Sequence, residues 1–139
     1  KGLEKIESEL SNELGCRAVS AFGAVIRKIK KIKAKKIAMV TPYTEPVNEF
    51  MAKSLRAFGI NVICHKGLGL TDDRAICQVE PNTIRQFILD NKETIITDAD
   101  LCFLSCTNFR AMEIREDLEK LLNINVITSN YCIYSFIVE

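Results

Sequence analysis

Three short polar clusters interrupt the pattern of this chain: Thr41-Pro42-Tyr43, Thr71-Asp72-Asp73 and Ser105-Cys106-Thr107-Asn108. The third carries the most reactive group. It follows the apolar run Leu101-Cys102-Phe103-Leu104 and precedes a helical pattern starting near Ala111. A cysteine at a strand-to-helix turn faces backbone N–H groups and a positive helix end, and both favour the nucleophilic thiolate. The same N–H groups, with the side chains of Thr107 and Asn108, suit a carboxylate or a developing enolate oxygen. Tyr43, behind a turn-forming proline, offers a phenol to donate to a carboxylate or to act as an acid, and Thr41 in the same cluster is a candidate substrate-binding residue with it. Each has a plain structural alternative: a buried cysteine beside a polar turn, a rim aromatic, and two aspartates that cap a helix. His65 ends a strand one residue from Lys66 and reads as structural.

Those clusters need elements to hold them. From Lys36 onward, strands alternate with helices four times: Ile37–Thr41, Asn61–His65, Asp100–Ser105 and Asn125–Thr128 as strands. Between them the spacing predicts a helix over Thr44–Phe58, with Val47, Phe50, Met51, Leu55 and Phe58 on its apolar face. A loop with Gly67 and Gly69 leads to a short helix capped by Thr71-Asp72-Asp73 and running to Val79. Further helices run from Pro81 to near Asn91 and from Met112 to Leu122, and a last one starts at Ser129 and is cut off at Glu139. This alternation predicts an α/β fold with a parallel, doubly wound, flavodoxin- or Rossmann-like sheet of about four strands. Right-handed crossovers then bring all three polar clusters to the carboxyl edge of the sheet, where such folds bind ligands. Upstream, Leu3–Leu14 reads as an amphipathic helix closed by Gly15, Cys16–Ala21 as a short strand, and Phe22–Ile32 as a second helix.

Composition narrows the class. The 139 residues are 47% apolar and 27% charged, as in a globular domain with a real core. Six cysteines without a CxxC pair, beside a single histidine, argue for reduced thiols and against a zinc site. A net charge of +1 gives no case for nucleic acid, and no segment is long and apolar enough for a bilayer, so a cytoplasmic setting is expected. Seven of the ten residues from Arg27 to Lys36 are basic. With no aromatics between the lysines as stacking platforms, they read as the solvated end of a helix, whose macrodipole favours cations there. No GxGxxG or Walker loop suggests a nucleotide.

Val40-Thr-Pro-Tyr-Thr44 with Glu45-Pro-Val-Asn48, Gly67-Leu-Gly-Leu-Thr-Asp-Asp73, Ser105-Cys-Thr-Asn-Phe-Arg110 and Thr128-Ser-Asn130 together resemble the maleate cis-trans isomerases. These belong with arylmalonate decarboxylases and aspartate/glutamate and hydantoin racemases to the Asp/Glu racemase superfamily. The resemblance runs in register from about Gly15 to Asn130. It implies a cofactor-independent enzyme of two similar α/β domains, with one cysteine from each on opposite sides of a small carboxylic acid. Cys106 matches the cysteine of the C-terminal domain, which in the decarboxylases is the proton donor to an enediolate. Tyr43 matches a tyrosine that hydrogen-bonds a substrate carboxylate. Asp73 stands where isomerases often carry an asparagine that contacts substrate. An ionised carboxylate there repels an anionic ligand unless it is protonated or turned away.

The resemblance further implies that a first domain with its own cysteine lies upstream of Lys1. Residues 1–35 are then the end of that domain and a basic connecting helix, and 36–139 the C-terminal α/β domain. The function so implied is thiolate-based cis-trans isomerisation of a small dicarboxylate without metal or cofactor, with these 139 residues nearly inactive alone. A decarboxylase or racemase acting on another small carboxylic acid is the alternative within the family. Outside it stands a non-catalytic anion-binding or dimerisation domain. A face left bare for the first domain predicts association, and homo-oligomers are expected.

Overall fold

A computed structural model describes residues 2–139. The first helix, α1 (Gly2–Leu14), ends at Gly15, whose φ of +65° is the left-handed turn that glycine adopts without strain. The stripe Ile6, Leu10 and Leu14 faces outward, and the residue that α1 buries is Glu7. The strand expected over Cys16–Ala21 does not form. Side chains take its backbone donors instead: the Ala18 N–H donates to Ser11 Oγ at 2.9 Å and the Ser20 N–H to Glu7 Oε1 at 2.8 Å. Ser20 then caps α2 (Ala21–Ile32), accepting from the Gly23 N–H at 2.9 Å.

Four strands, β1 (Ile37–Tyr43), β2 (Val62–Leu70), β3 (Leu101–Leu104) and β4 (Asn125–Thr128), pair in the order β2-β1-β3-β4, all parallel. Side chains alternate across the sheet, so Ile37, Met39, Leu101, Phe103 and Ile127 enter one core and Ala38, Val40, Cys102, Leu104 and Val126 the other. The first core is covered by α2, α3 (Glu45–Ala57) and α8 (Ser129–Val138). The second is covered by α4 (Asp73–Cys77), α5 (Pro81–Asp90), α6 (Lys92–Ile96) and α7 (Arg115–Leu122). This is the doubly wound sheet that the alternation predicted.

Three details depart from the expected pattern. Strand β2 runs on through Gly67 and Gly69, which are not in a loop. A Cβ on Gly67 would collide with the Tyr43 carbonyl and the Asn48 amide, so glycine is what lets β2 stay against β1 there. Helix α3 buries Asn48, Ala52 and Leu55, while Val47 and Phe50 face solvent, Phe50 at 71% exposure. The helix expected from Met112 opens instead as a 3₁₀ turn (Met112–Ile114) before α7, and α6 was not anticipated.

Four of the seven basic residues from Arg27 to Lys36 pair with carboxylates of the chain, two of them sharing Glu139. Arg27 pairs with Glu7, Lys31 with Glu139 at 2.6 Å, Lys28 with Glu139 at 3.4 Å and Lys36 with Asp98 at 3.8 Å. On the outer edge of β4, Arg115 Nη1 donates to the Val126 carbonyl and the Val126 N–H donates to Glu119 Oε1, both at 3.1 Å. Arg115 and Glu119 are themselves paired at 3.1 Å. Among the described residues, no helix is long and apolar enough to cross a membrane.

Candidate active site

The chain crosses from β1 to β2 on one side and returns to β3 on the other, so the connections diverge beyond the carboxyl ends of β1 and β3. In open parallel sheets that divergence leaves a crevice. Tyr43 ends β1 and Ser105-Cys106 follows β3, so these two segments border it.

The Ser105 N–H donates to the Val40 carbonyl at 2.8 Å, which carries the β1–β3 ladder one residue past Leu104. The chain then turns sharply at Cys106, whose φ is +127°. A non-glycine residue there costs roughly 1–3 kcal/mol and persists only where its surroundings enforce it. Four hydrogen bonds do so. The Cys106 N–H donates to Ser129 Oγ at 3.1 Å, and Asn130 Nδ2 donates to the Thr107 carbonyl at 3.0 Å. The Asn108 N–H points at Cys106 Sγ from 3.3 Å, and Asn108 Nδ2 holds the Asp73 carbonyl at 2.8 Å. The N–H at the sulfur is a contact that strengthens as sulfur becomes negative.

The helix end beside the cysteine is therefore not the one expected. Residues 107–111 are turns, and the N-terminus that meets Cys106 belongs to α8, which Thr128 caps by accepting from the Tyr131 N–H at 3.0 Å. Ser129 and Asn130 were not singled out in the sequence as site residues. Their signal was present in Thr128-Ser-Asn130, which lies at the same edge of the sheet.

Tyr43 is half-buried, and its phenol is pushed well above the ordinary tyrosine range. Burial contributes most, followed by the hydrogen bond and charge of the Cys106 sulfur and then by the charge of Asp73. The hydroxyl thus keeps its proton and is a donor. Thr41 is not at the surface of the crevice: it is fully buried, donates to Asn48 Oδ1 and accepts the Tyr43 N–H at 2.9 Å. Its hydroxyl is spent on holding Tyr43. Thr107, Asn108 and Asp73 are exposed around Cys106, with the Asn108 amide already engaged.

A cavity of about 220 Å³ opens on this side, lined among others by Phe22, Val25, Tyr43, Cys106, Thr107 and Ser129. No cationic side chain lines it. It is smaller than pockets that hold drug-sized molecules, so it suits a ligand of a few heavy atoms. The first turns of α2 form one wall, a contribution that the sequence did not indicate.

The remaining titratable groups lie elsewhere. His65 on β2 sits against α3, with Nε2 3.1 Å from Glu49 and Nδ1 3.5 Å from Glu45. That histidine holds the Glu49 carboxyl below its usual range. Cys102 and Cys132 are buried, and loss of water pushes both thiols to about 12. Among the described residues all six cysteines are free, and no cluster of three His, Cys, Asp or Glu side chains could hold a metal.

The arylmalonate decarboxylase family profile matches residues 3–134. The chain is 25% identical over 132 residues to a maleate isomerase of Geobacillus stearothermophilus, covering 91% of this chain and 51% of that protein. It is 25% identical over 117 residues to an arylmalonate decarboxylase of Bordetella bronchiseptica, covering 84% of this chain and 48% of that one. A crystal structure of arylmalonate decarboxylase superimposes with a TM-score of 0.85 at 21% identity, over 97% of this chain and 59% of that chain. A Nocardia farcinica maleate cis-trans isomerase mutant with a covalently bound succinylcysteine intermediate superimposes at 0.81 and 20% identity, over 94% and 54% respectively. The chain spans about half the length of these curated relatives.

Proposed function

The chain belongs to the arylmalonate decarboxylase family, and on that footing we propose that it carries the Cys106 half of a thiol-based enzyme acting on small carboxylic acids. The reaction is cis-trans isomerisation of a maleate-type acid, without metal or organic cofactor. The observation that carries this reading is Cys106 itself, held at φ +127° with the Asn108 N–H 3.3 Å from its sulfur and Tyr43 lining the same cavity.

In the proposed reaction a cysteine thiolate adds to one alkene carbon, and the displaced π electrons move into the adjacent carboxyl group as an enediolate. The former double bond, now single, rotates. The electrons then return, the C–S bond breaks, and the trans alkene leaves with the thiolate restored. Tyr43 O–H donates to the charge that gathers on the carboxyl oxygens, and a fixed donor in a cavity closed to water is worth more than one in bulk solvent. The succinylcysteine adduct in the Nocardia farcinica relative supports the addition step. The first turns of α2 wall one side of Cys106, and a second, upstream domain is proposed to close the other. Its contact surface includes the outward apolar residues of α1 and Phe50 of α3.

The family profile itself favours a second reading, in which Cys106 delivers a proton to the enediolate left when a malonate loses carbon dioxide.

The test is the full-length protein given maleate, with fumarate followed by proton NMR. Cys106→Ala should lower turnover by at least about a thousandfold, as removing one member of a catalytic set that acts as a unit does. Turnover that survives this substitution, or a wild type that releases carbon dioxide from arylmalonates and leaves maleate untouched, would overturn the isomerase reading.

A further inference from the structure

A fully buried amide supports the Tyr43 turn. Helix α3 buries Asn48, Ala52 and Leu55, and Asn48, the polar one, has no exposure at all. A buried carboxamide is tolerated where its donor and its acceptor are both used. Both uses of Asn48 return to Tyr43. Its Oδ1 accepts from the Thr41 hydroxyl, and Thr41 Oγ1 accepts from the Tyr43 N–H at 2.9 Å. Its Nδ2 donates to the Tyr43 carbonyl at 3.5 Å. The circuit thus leaves from the Tyr43 N–H and closes on the Tyr43 C=O. Gly67 leaves room for it, since a Cβ there would collide with the Tyr43 carbonyl and the Asn48 amide.

These bonds hold the peptide planes on either side of Tyr43, and with them its φ, its ψ and the direction of its Cα–Cβ bond. The sheet holds this point less firmly than the rest of β1. Pro42 has no N–H to give to the ladder, and the β1–β2 register shifts between Thr41 and Tyr43. What is left free is the side chain's own torsions, at the wall of the cavity that Tyr43 shares with Cys106. Resting on the isomerase reading, we propose that Asn48 is a positioning residue: through Thr41 and the Tyr43 carbonyl it aims the phenol at the carboxyl group that gathers charge, without itself touching substrate.

The test is the full-length protein with maleate, comparing Asn48→Ala, Tyr43→Phe and the two together. A donor that meets charge only as the reaction proceeds is lost from kcat rather than from KM. Asn48→Ala should lower kcat by roughly tenfold to a hundredfold, the scale of a misplaced group, with KM within about twofold. In the Tyr43→Phe background the same substitution should cost nothing further, because the phenol it aims is gone. Thr41→Val, which cuts the circuit with little change of shape, should reproduce this pattern, and Thr41→Ser should restore kcat. The Thr41 variants carry the test where Asn48→Ala does not fold. Losses that multiply in the double variant, a wild-type kcat in Asn48→Ala, or a kcat that Thr41→Ser fails to restore overturns the proposal. If the wild type leaves maleate untouched the isomerase reading fails, and the same cycle is then read on iodoacetamide alkylation of Cys106. An effect of Asn48→Ala that vanishes in the Tyr43→Phe background sustains its role there, and any other result overturns it.

Discussion

The Cys106 N–H donates to the hydroxyl of Ser129, 3.1 Å away on the first residue of α8. One bond thus ties the loop after β3 to the helix after β4, and it holds the residue whose backbone is the most strained of the site. Truncating that hydroxyl leaves a part-buried N–H without its acceptor, which costs about 1–3 kcal/mol. Ser129→Ala should lower the denaturant midpoint accordingly and slow Cys106 alkylation, whereas Ser129→Thr should recover both. An alkylation rate untouched by Ser129→Ala would mean the turn holds without the bond.

Gly67 should tolerate no side chain. The collision with the Tyr43 carbonyl and Asn48 involves backbone and a buried amide that is already hydrogen-bonded, so nothing flexible can yield. Gly67→Ala should destabilise by about 2–4 kcal/mol, in the range of severe core overpacking. Gly69, at φ +77° with open space around it, should respond more mildly, through backbone strain alone. Thermal melts of the two variants decide this.

Glu7 gives the fold a pH dependence. Burial alone would raise its carboxyl, but Arg27 and the Ser20 N–H and hydroxyl outweigh that and hold it below 4.5. A carboxylate depressed in the folded state stabilises above the unfolded value, and that stability is lost as pH falls through the folded one. Stability should therefore drop from about pH 4.5 downward, and Glu7→Gln should flatten this limb while lowering stability at neutral pH. A parallel limb in the variant would assign the acid sensitivity to other groups.

Thiol reactivity should sort by position. Cys102 and Cys132, with thiols raised to about 12, should resist iodoacetamide at neutral pH until the chain unfolds. Cys106 should label in the native state ahead of Cys16 and Cys77, which are exposed on the surface. Native labelling in which Cys106 trails those two would count against a reactive role.

Much of this architecture was legible because periodicity is strong where burial is two-sided: the strands at Ile37, Leu101 and Asn125 are short apolar runs with matching helices between them. Segment 16–20 was misread because its fate is set by Glu7 and Ser11 in the preceding helix, which no local pattern reveals. On α3 the outward Val47 and Phe50 mimicked a core face, since spacing alone does not tell an exposed apolar residue from a buried one. Strand β2 outlasted its glycines because Asn48 fills the space that a side chain would need. At the site, residue types pointed to Cys106 and Tyr43, but Thr41 sits in the same cluster and turns inward, a choice made by Asn48. The positive φ of Cys106 has no trace in composition at all.

The clasp that Arg115 and Glu119 place on Val126 has the polarity of a strand: one group gives a hydrogen, the other takes one, at the spacing of a single residue. The sheet is in this sense terminated by a two-residue counterfeit of its next strand. An incoming β-segment would have to displace a paired guanidinium and carboxylate before forming its first bond, which blunts edge-to-edge aggregation on that side.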